Sequence, residues 1–285
     1  MGHAVSAAAA MPGFIQTPGF IQTADGVSLF YRDWGTGKPI VFVASWVMPS
    51  ESWSYQMAAL SQQGFRCIAY DRRGHGRSSD PGRGYDFDTL ADDLAAVLDA
   101  LDLYDVTLVG FSMGGAEIIR YVTRHGTARV GRLVSIAPTT PLVMRRPDNP
   151  QGFDEAVLED LHRAFEQDFP LWVEENARPF VLPETSQATI EWVKAMALGT
   201  SLKAVLDCHR MLVREDFRAE LKAIDLPVLV IQGDADISSP IDLAGRPTAE
   251  LIPGARLEIY EGAPHGLFIT HRERLNRDLA TFAAG

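Results

Sequence analysis

From Val27 onward, apolar runs of strand length alternate with longer stretches of helical periodicity, and this alternation limits the chain to few folds. Val27–Trp34 alternates like a half-buried strand. Pro39–Ser45, Phe65–Tyr70, Val106–Phe111, Val130–Ile136, Pro227–Gln232 and Arg256–Tyr260 read as buried strands. Between them, Leu90, Leu94, Val97, Leu98 and Leu101 recur at helical spacing behind Asp86 and Asp88, acidic residues suited to the positive end of a helix dipole. Met113–His125 and Arg274–Phe282 read as further helices. This order implies an α/β fold, a mostly parallel central sheet with helices on both faces. At 285 residues the chain buries a large core without a disulfide framework, which its two cysteines, Cys67 and Cys208, cannot supply.

The alternation stops between Pro138 and Leu226. Helical segments follow one another there, around Glu155–Phe169, Leu171–Ala177, Gln187–Ala197 and Leu202–Val213. We expect residues 138–226 to form an inserted helical cap over a core made of residues 24–137 and 227–285. Placed between two strands, such an insertion lies over the carboxyl ends of the sheet, where open α/β sheets bind ligands. Trp172, Phe180, Trp192, Met196 and Met211 are available to line an apolar pocket, although packing of the cap explains any one of them as simply. Residues 1–23 read as a disordered leader. It carries Pro12–Thr17 repeated as Pro18–Thr23, which duplication explains better than function, and only the second copy leads directly into the first strand-like run.

A formal charge of −11 and a pI near 5.1 leave no basic footprint for nucleic acid or anionic lipid. No run has the eighteen or so apolar residues of a membrane span, and the first Lys or Arg is Arg32, so the charged start of a signal peptide is missing. A cytoplasmic protein without stable membrane insertion is expected. Met1–Ser6 fits the short myristoylation pattern, but one acyl chain anchors only marginally.

Gly110-Phe111-Ser112-Met113-Gly114 is a G-x-S-x-G sequence. With 24 glycines and 15 serines, about one such chain in ten carries the pattern by chance, so its setting decides. Here it closes the hydrophobic strand Val106–Val109 and opens a helix, which is the strand-turn-helix that exposes a nucleophilic serine. A serine hydroxyl needs a base, and the base needs a partner to fix its tautomer. His265, in Gly262-Ala263-Pro264-His265-Gly266 after the last strand, is the best base. Of the other histidines, His3 lies in the leader, His75 in an arginine-rich turn, and His125 at a helix end where a cation is favoured. His162, His209 and His271 read as surface or cap residues. Asp234 and Asp236 both follow the strand Pro227–Gln232, and Asp234 can alternatively bind turn amides.

Several segments together resemble the α/β-hydrolase superfamily, in particular its cofactor-free haloperoxidase-like aryl esterases and perhydrolases. They are Ala69–Ser79, Val109–Gly115, Arg124-His125-Gly126 and Gly233-Asp234-Ala235-Asp236, and the resemblance runs from about Val27 to the C-terminus. It implies the order Ser112, Asp236, His265 for the catalytic residues, with Asp236 as the acid. It also implies a structural turn over Asp71–Ser79, with His75 outside the chemistry, and an oxyanion hole from the backbone N–H groups of Trp46 and Met113. Relatives carry His-Gly before that tryptophan. This chain has Ala44-Ser45, and the loop path shifts if position 45 requires a positive φ. Val47 replaces the proline that often follows in perhydrolases, which favours plain ester hydrolysis.

The expected activity is hydrolysis of small to medium hydrophobic acyl or aryl esters through an acyl-enzyme, with Trp46, Val47, Trp172, Trp192 and Met196 assigned to the substrate pocket. Perhydrolysis, or amide or lactone hydrolysis, is the alternative that uses the same triad, and a non-catalytic ligand receptor is the alternative of another class. No cofactor and no metal are assigned, since neither a phosphate loop nor a ligand cluster occurs in the sequence. The expected partner is a small hydrophobic ester, and self-association into a homo-oligomer is left open.

Overall fold

The computed structural model describes residues 19–285. The pattern at Met1–Ser6 and the first hexapeptide copy lie outside them. Eight strands form one sheet: β1 (Gly19–Gln22), β2 (Ser28–Trp34), β3 (Lys38–Val43), β4 (Phe65–Tyr70), β5 (Val106–Phe111), β6 (Val130–Ile136), β7 (Val228–Gly233) and β8 (Arg256–Tyr260). Their order is β1-β2-β4-β3-β5-β6-β7-β8. The pairs β1–β2 and β2–β4 are antiparallel, and the remaining pairs are parallel.

The strands alternate between two cores. Val41 and Val43 of β3 face a layer with Leu90 and Leu94 of α2 (Phe87–Ala100) and Ile118 of α3 (Met113–His125). Ile40 and Phe42 face the opposite layer, with Met57 and Leu60 of α1 (Ser54–Ser61) and Leu275 and Leu279 at the C-terminus. A period of two that is apolar on both faces is what a parallel sheet covered on both sides requires. The Asp86 side chain caps α2 by accepting from the Thr89 amide at 2.9 Å.

Four helices follow β6 in residues 138–226, the segment expected to form a cap: α4 (Glu155–Ala177), α5 (Gln187–Leu198), α6 (Leu202–Arg214) and α7 (Arg218–Lys222). The sequence predicts a break near Pro170, and the chain kinks at Asp168 (φ −157°, ψ 76°), two residues before a proline that cannot continue the ladder. The C-terminal region adds α8 (Gly245–Leu251), α9 (Leu267–Thr270) and α10 (Arg272–Ala284).

Three expectations need correction. Gly19–Gln22, placed in the leader, is a strand paired with β2 (Ile21 opposite Leu29), because Ile21 turns inward while Phe20 stacks outside on Phe30. In β8 only Tyr260 is buried, since β8 is an edge strand paired to β7 alone. Helices α1, α7, α8 and α9 are not predicted by the sequence pattern. They are short, and α1 begins with Ser-Tyr-Gln, which hides an apolar face of only Met57 and Leu60.

Candidate active site

Ser112 stands between β5 and α3 with φ 55° and ψ −116°, a conformation disfavoured for a non-glycine residue and costing about 1–3 kcal/mol. Its amide donates to the Ile136 carbonyl at 2.8 Å, and its carbonyl accepts from the Gly115 amide at 2.9 Å, so both sides of the turn are tied down. The flanking glycines are needed for contact. A Cβ on Gly110 would lie 2.3 Å from the Gly114 carbonyl oxygen, and one on Gly114 would lie 2.4 Å from that of Val43. The second close approach sets the start of α3 directly against the end of β3. Ser112 is 5% exposed and His265 7%.

His265 lies on the loop between β8 and α9. Its Nδ1 is 2.7 Å from Asp236 Oδ2. That oxygen also accepts from Gln232 Nε2 at 2.9 Å, while Oδ1 accepts from the Ser238 and Ser239 amides at 2.9 and 2.8 Å. With two donors on each oxygen the carboxylate has no rotational freedom. Asp234 turns away and accepts from the Gly262 amide at 2.6 Å, the turn-binding role weighed for it from sequence. Phe111 brings the Ser112 turn to the imidazole, with ring centroids 4.9 Å apart, and Phe180 covers the imidazole at 5.7 Å. No hydrogen bond joins Ser112 to His265 here; such bonds commonly tighten only in the substrate complex.

The loop after β3 carries Trp46. Its left-handed residue is Val47 (φ 53°), not Ser45, so serine at position 45 demands no change of path. Val47 is buried with Phe165, Phe169 and Val173 of α4. The Trp46 indole donates to the Val205 carbonyl at 3.0 Å and packs against Phe165, Trp172 and His209. Met113, first residue of α3, is fully buried. The expected pocket residues therefore divide. Trp46, Val47 and Trp172 share one cluster under the cap, whereas Trp192 and Met196 line a separate cleft of about 290 Å³ with Arg32, Glu51 and Arg77. Neither Ser112 nor His265 lines that cleft.

His75, His162 and His209 are buried away from the Asp236–His265 pair. His75 is buried, its Nδ1 bonded to the Arg73 carbonyl at 2.8 Å, and burial and then Arg72 push its pKa down to about 3. His162 and His209 are not surface residues. They stack in the cap core, Nδ1 to Nδ1 3.2 Å, and burial lowers both pKa values, that of His209 to about 4. Among the described residues no cluster of three or more metal-ligating side chains occurs, and no helix is long and apolar enough to cross a membrane.

Residues 38–272 match the family described as alpha/beta hydrolase fold. The chain belongs to this family. It is 39% identical to a non-heme chloroperoxidase of Kitasatospora aureofaciens over 91% of this chain and 97% of that protein. It is 35% identical to a bifunctional esterase/perhydrolase of Acinetobacter calcoaceticus, covering 93% and 99% of the two chains. Among solved structures, an esterase of Exiguobacterium antarcticum superposes with a TM-score of 0.91 at 30% identity, over 94% of this chain and 100% of that one. The chain is thus a haloperoxidase-like α/β hydrolase with esterase relatives.

Sequence reasoning missed Gln232, which supports Asp236, and Arg72 with Glu117, which hold the loop before Trp46. The only available signals were a polar residue closing an apolar strand and a lone carboxylate inside the apolar start of α3.

Proposed function

We propose that the protein is a serine hydrolase of carboxylic esters with small to medium hydrophobic acyl or aryl groups, acting in the cytoplasm. The observation that carries this reading is the Asp236–His265 bond, with the His265 ring packed on Phe111, the residue before Ser112 in its strained turn. Ser112 Oγ attacks the acyl carbonyl while His265 Nε2 takes its proton, and Asp236 holds Nδ1–H and stabilises the imidazolium. The Trp46 and Met113 amides receive the oxyanion. Collapse of the tetrahedral adduct returns the proton to the departing alcohol and leaves an acyl-serine. Water, deprotonated by His265, then releases the acid. The cluster of Trp46, Val47 and Trp172 supplies apolar walls, whereas Trp192 and Met196, in the separate cleft, take no part.

Hydrolysis of p-nitrophenyl acetate and butyrate by wild type and Ser112→Ala tests the reading. We expect loss of all but weak residual turnover in the variant, and equal rates would end it. A fluorophosphonate probe separates enzyme from ligand receptor, since rapid labelling of Ser112 is expected only of an enzyme.

A second reading is favoured by one relative, which is described as both esterase and perhydrolase. Hydrogen peroxide in place of water would release a peracid from the same acyl-serine. Comparing acyl transfer to the two acceptors distinguishes them.

A further inference from the structure

We infer that Arg72 is a positioning residue that aims the Trp46 N–H at the oxyanion, an inference that rests on the serine-hydrolase reading above. Arg72 follows β4, is 2% exposed, and spreads its guanidinium over three acceptors. Nη2 donates to the Ala44 carbonyl at 2.8 Å, Nη1 to the Ser45 carbonyl at 3.1 Å, and Nε to Glu117 Oε2 at 2.8 Å. Glu117 is fully buried on α3, and its other oxygen accepts the Tyr70 hydroxyl.

The consequence follows from the planarity of the peptide. The Ser45 carbonyl and the Trp46 N–H belong to one rigid trans unit and point in opposite directions. Fixing the oxygen, on Arg72 at 3.1 Å and more loosely on the Met48 amide at 3.3 Å, therefore fixes the direction of the N–H, away from the guanidinium. A cation on the carbonyl also polarises the amide and strengthens its N–H as a donor. Glu117 makes this arrangement tolerable, because an unpaired guanidinium at this depth would be strongly destabilising. Since Glu117 sits on the helix that begins at Met113, the same network registers the two proposed oxyanion amides against each other. Only a planar fork serves all three acceptors; a lysine ammonium is a point donor.

The test measures kcat and KM for p-nitrophenyl acetate in Arg72→Gln, Arg72→Lys and Glu117→Gln, per active site titrated with fluorophosphonate. It also measures inhibition by phenylboronic acid, which mimics the tetrahedral adduct, and the Tm of each variant. We expect Arg72→Gln to lose roughly 10²-fold in kcat, the usual scale for one oxyanion donor, with KM changed less than about threefold and boronate binding weakened in parallel. Arg72→Lys should recover part of the loss. A merely structural role would lower Tm while leaving kcat per titrated site and boronate affinity unchanged, and that result overturns the inference. If neither Arg72 variant folds, Glu117→Gln decides: a severalfold fall in kcat at constant KM supports positioning, and a wild-type kcat refutes it. A fully active Ser112→Ala would overturn the hydrolase reading and this inference with it, whereas an inactive Ser112→Ala beside normal Arg72 variants overturns this inference alone.

Discussion

The Gly266 amide, next in sequence to His265, donates to the carbonyl of Phe180 in the cap at 2.8 Å. The cap is thereby hydrogen-bonded to the loop that carries the proposed base, and the Phe180 ring lies over both His265 and Phe268. Phe180→Ala keeps the backbone bond and removes the ring. We expect a stability loss of about 1–3 kcal/mol and more room over the imidazole. The ratio of kcat/KM for p-nitrophenyl hexanoate to that for acetate should rise about tenfold, the scale of one or two methylenes in an apolar pocket. An unchanged ratio would place Phe180 outside the acyl path.

Asp236 and Asp234 stand two residues apart with different partners, and their amides should separate cleanly in assay. Asp236→Asn presents an N–H or a neutral oxygen to His265 and favours the wrong tautomer, so kcat should fall by about 10³–10⁴ with the fold intact. Asp234→Asn weakens one exposed bond to the Gly262 amide and should leave kcat within about twofold, with at most about 1 kcal/mol of stability lost in urea denaturation. Equal effects in the two variants would contradict the assignment of the acid.

Gly114→Ala tests the close approach between α3 and the end of β3. The new methyl would sit 2.4 Å from the Val43 carbonyl oxygen and 2.7 Å from that of Ala44, both backbone atoms that cannot swing aside. Strain of about 1–3 kcal/mol is expected, together with separation of the two proposed oxyanion amides. Soluble variant should therefore melt lower than wild type and hydrolyse p-nitrophenyl acetate at least tenfold more slowly. Wild-type turnover would mean that the loop tolerates this displacement.

The sheet was legible because parallel strands covered on both faces are buried and mostly apolar, as Val106–Phe111 is, and the turn at Ser112 because its flanking glycines are sterically compelled. Asp236 could not be told from Asp234 by residue type, since both follow β7; only its bonds to His265 and Gln232 separate them. The Arg72–Glu117 network was invisible for another reason. Its ends are 45 residues apart, and a charged residue in a mostly apolar helix start carries no sign of its partner. The division of the pocket residues was equally hidden, because Trp172 and Trp192 look alike in sequence, yet one packs on Trp46 and the other on Tyr55.

Acid stability provides a test that does not involve the proposed catalytic residues. His75 Nδ1 lies against the Arg73 carbonyl and so carries the proton, leaving a buried Nε2 with no partner among the described residues. Protonation would place a charge on that nitrogen beside the Arg72 guanidinium, and burial with this repulsion holds the native pKa at about 3 against an ordinary value of 6.5. Between these values the unfolded chain binds the proton and the native protein does not. Stability is then fully present above pH 6.5 and falls as the pH drops towards 3. From pH 7 to pH 5 the loss from this one group is about 2 kcal/mol, which needs only a native pKa well below 5. Asp93, raised to about 6 chiefly by burial, acts with the opposite sign but equally in wild type and variant. Urea midpoints measured at both pH values should therefore show wild type losing about 2 kcal/mol more than His75→Gln over this interval. Identical pH slopes would mean that His75 binds its proton in the folded state as readily as in the unfolded chain, and would overturn the prediction.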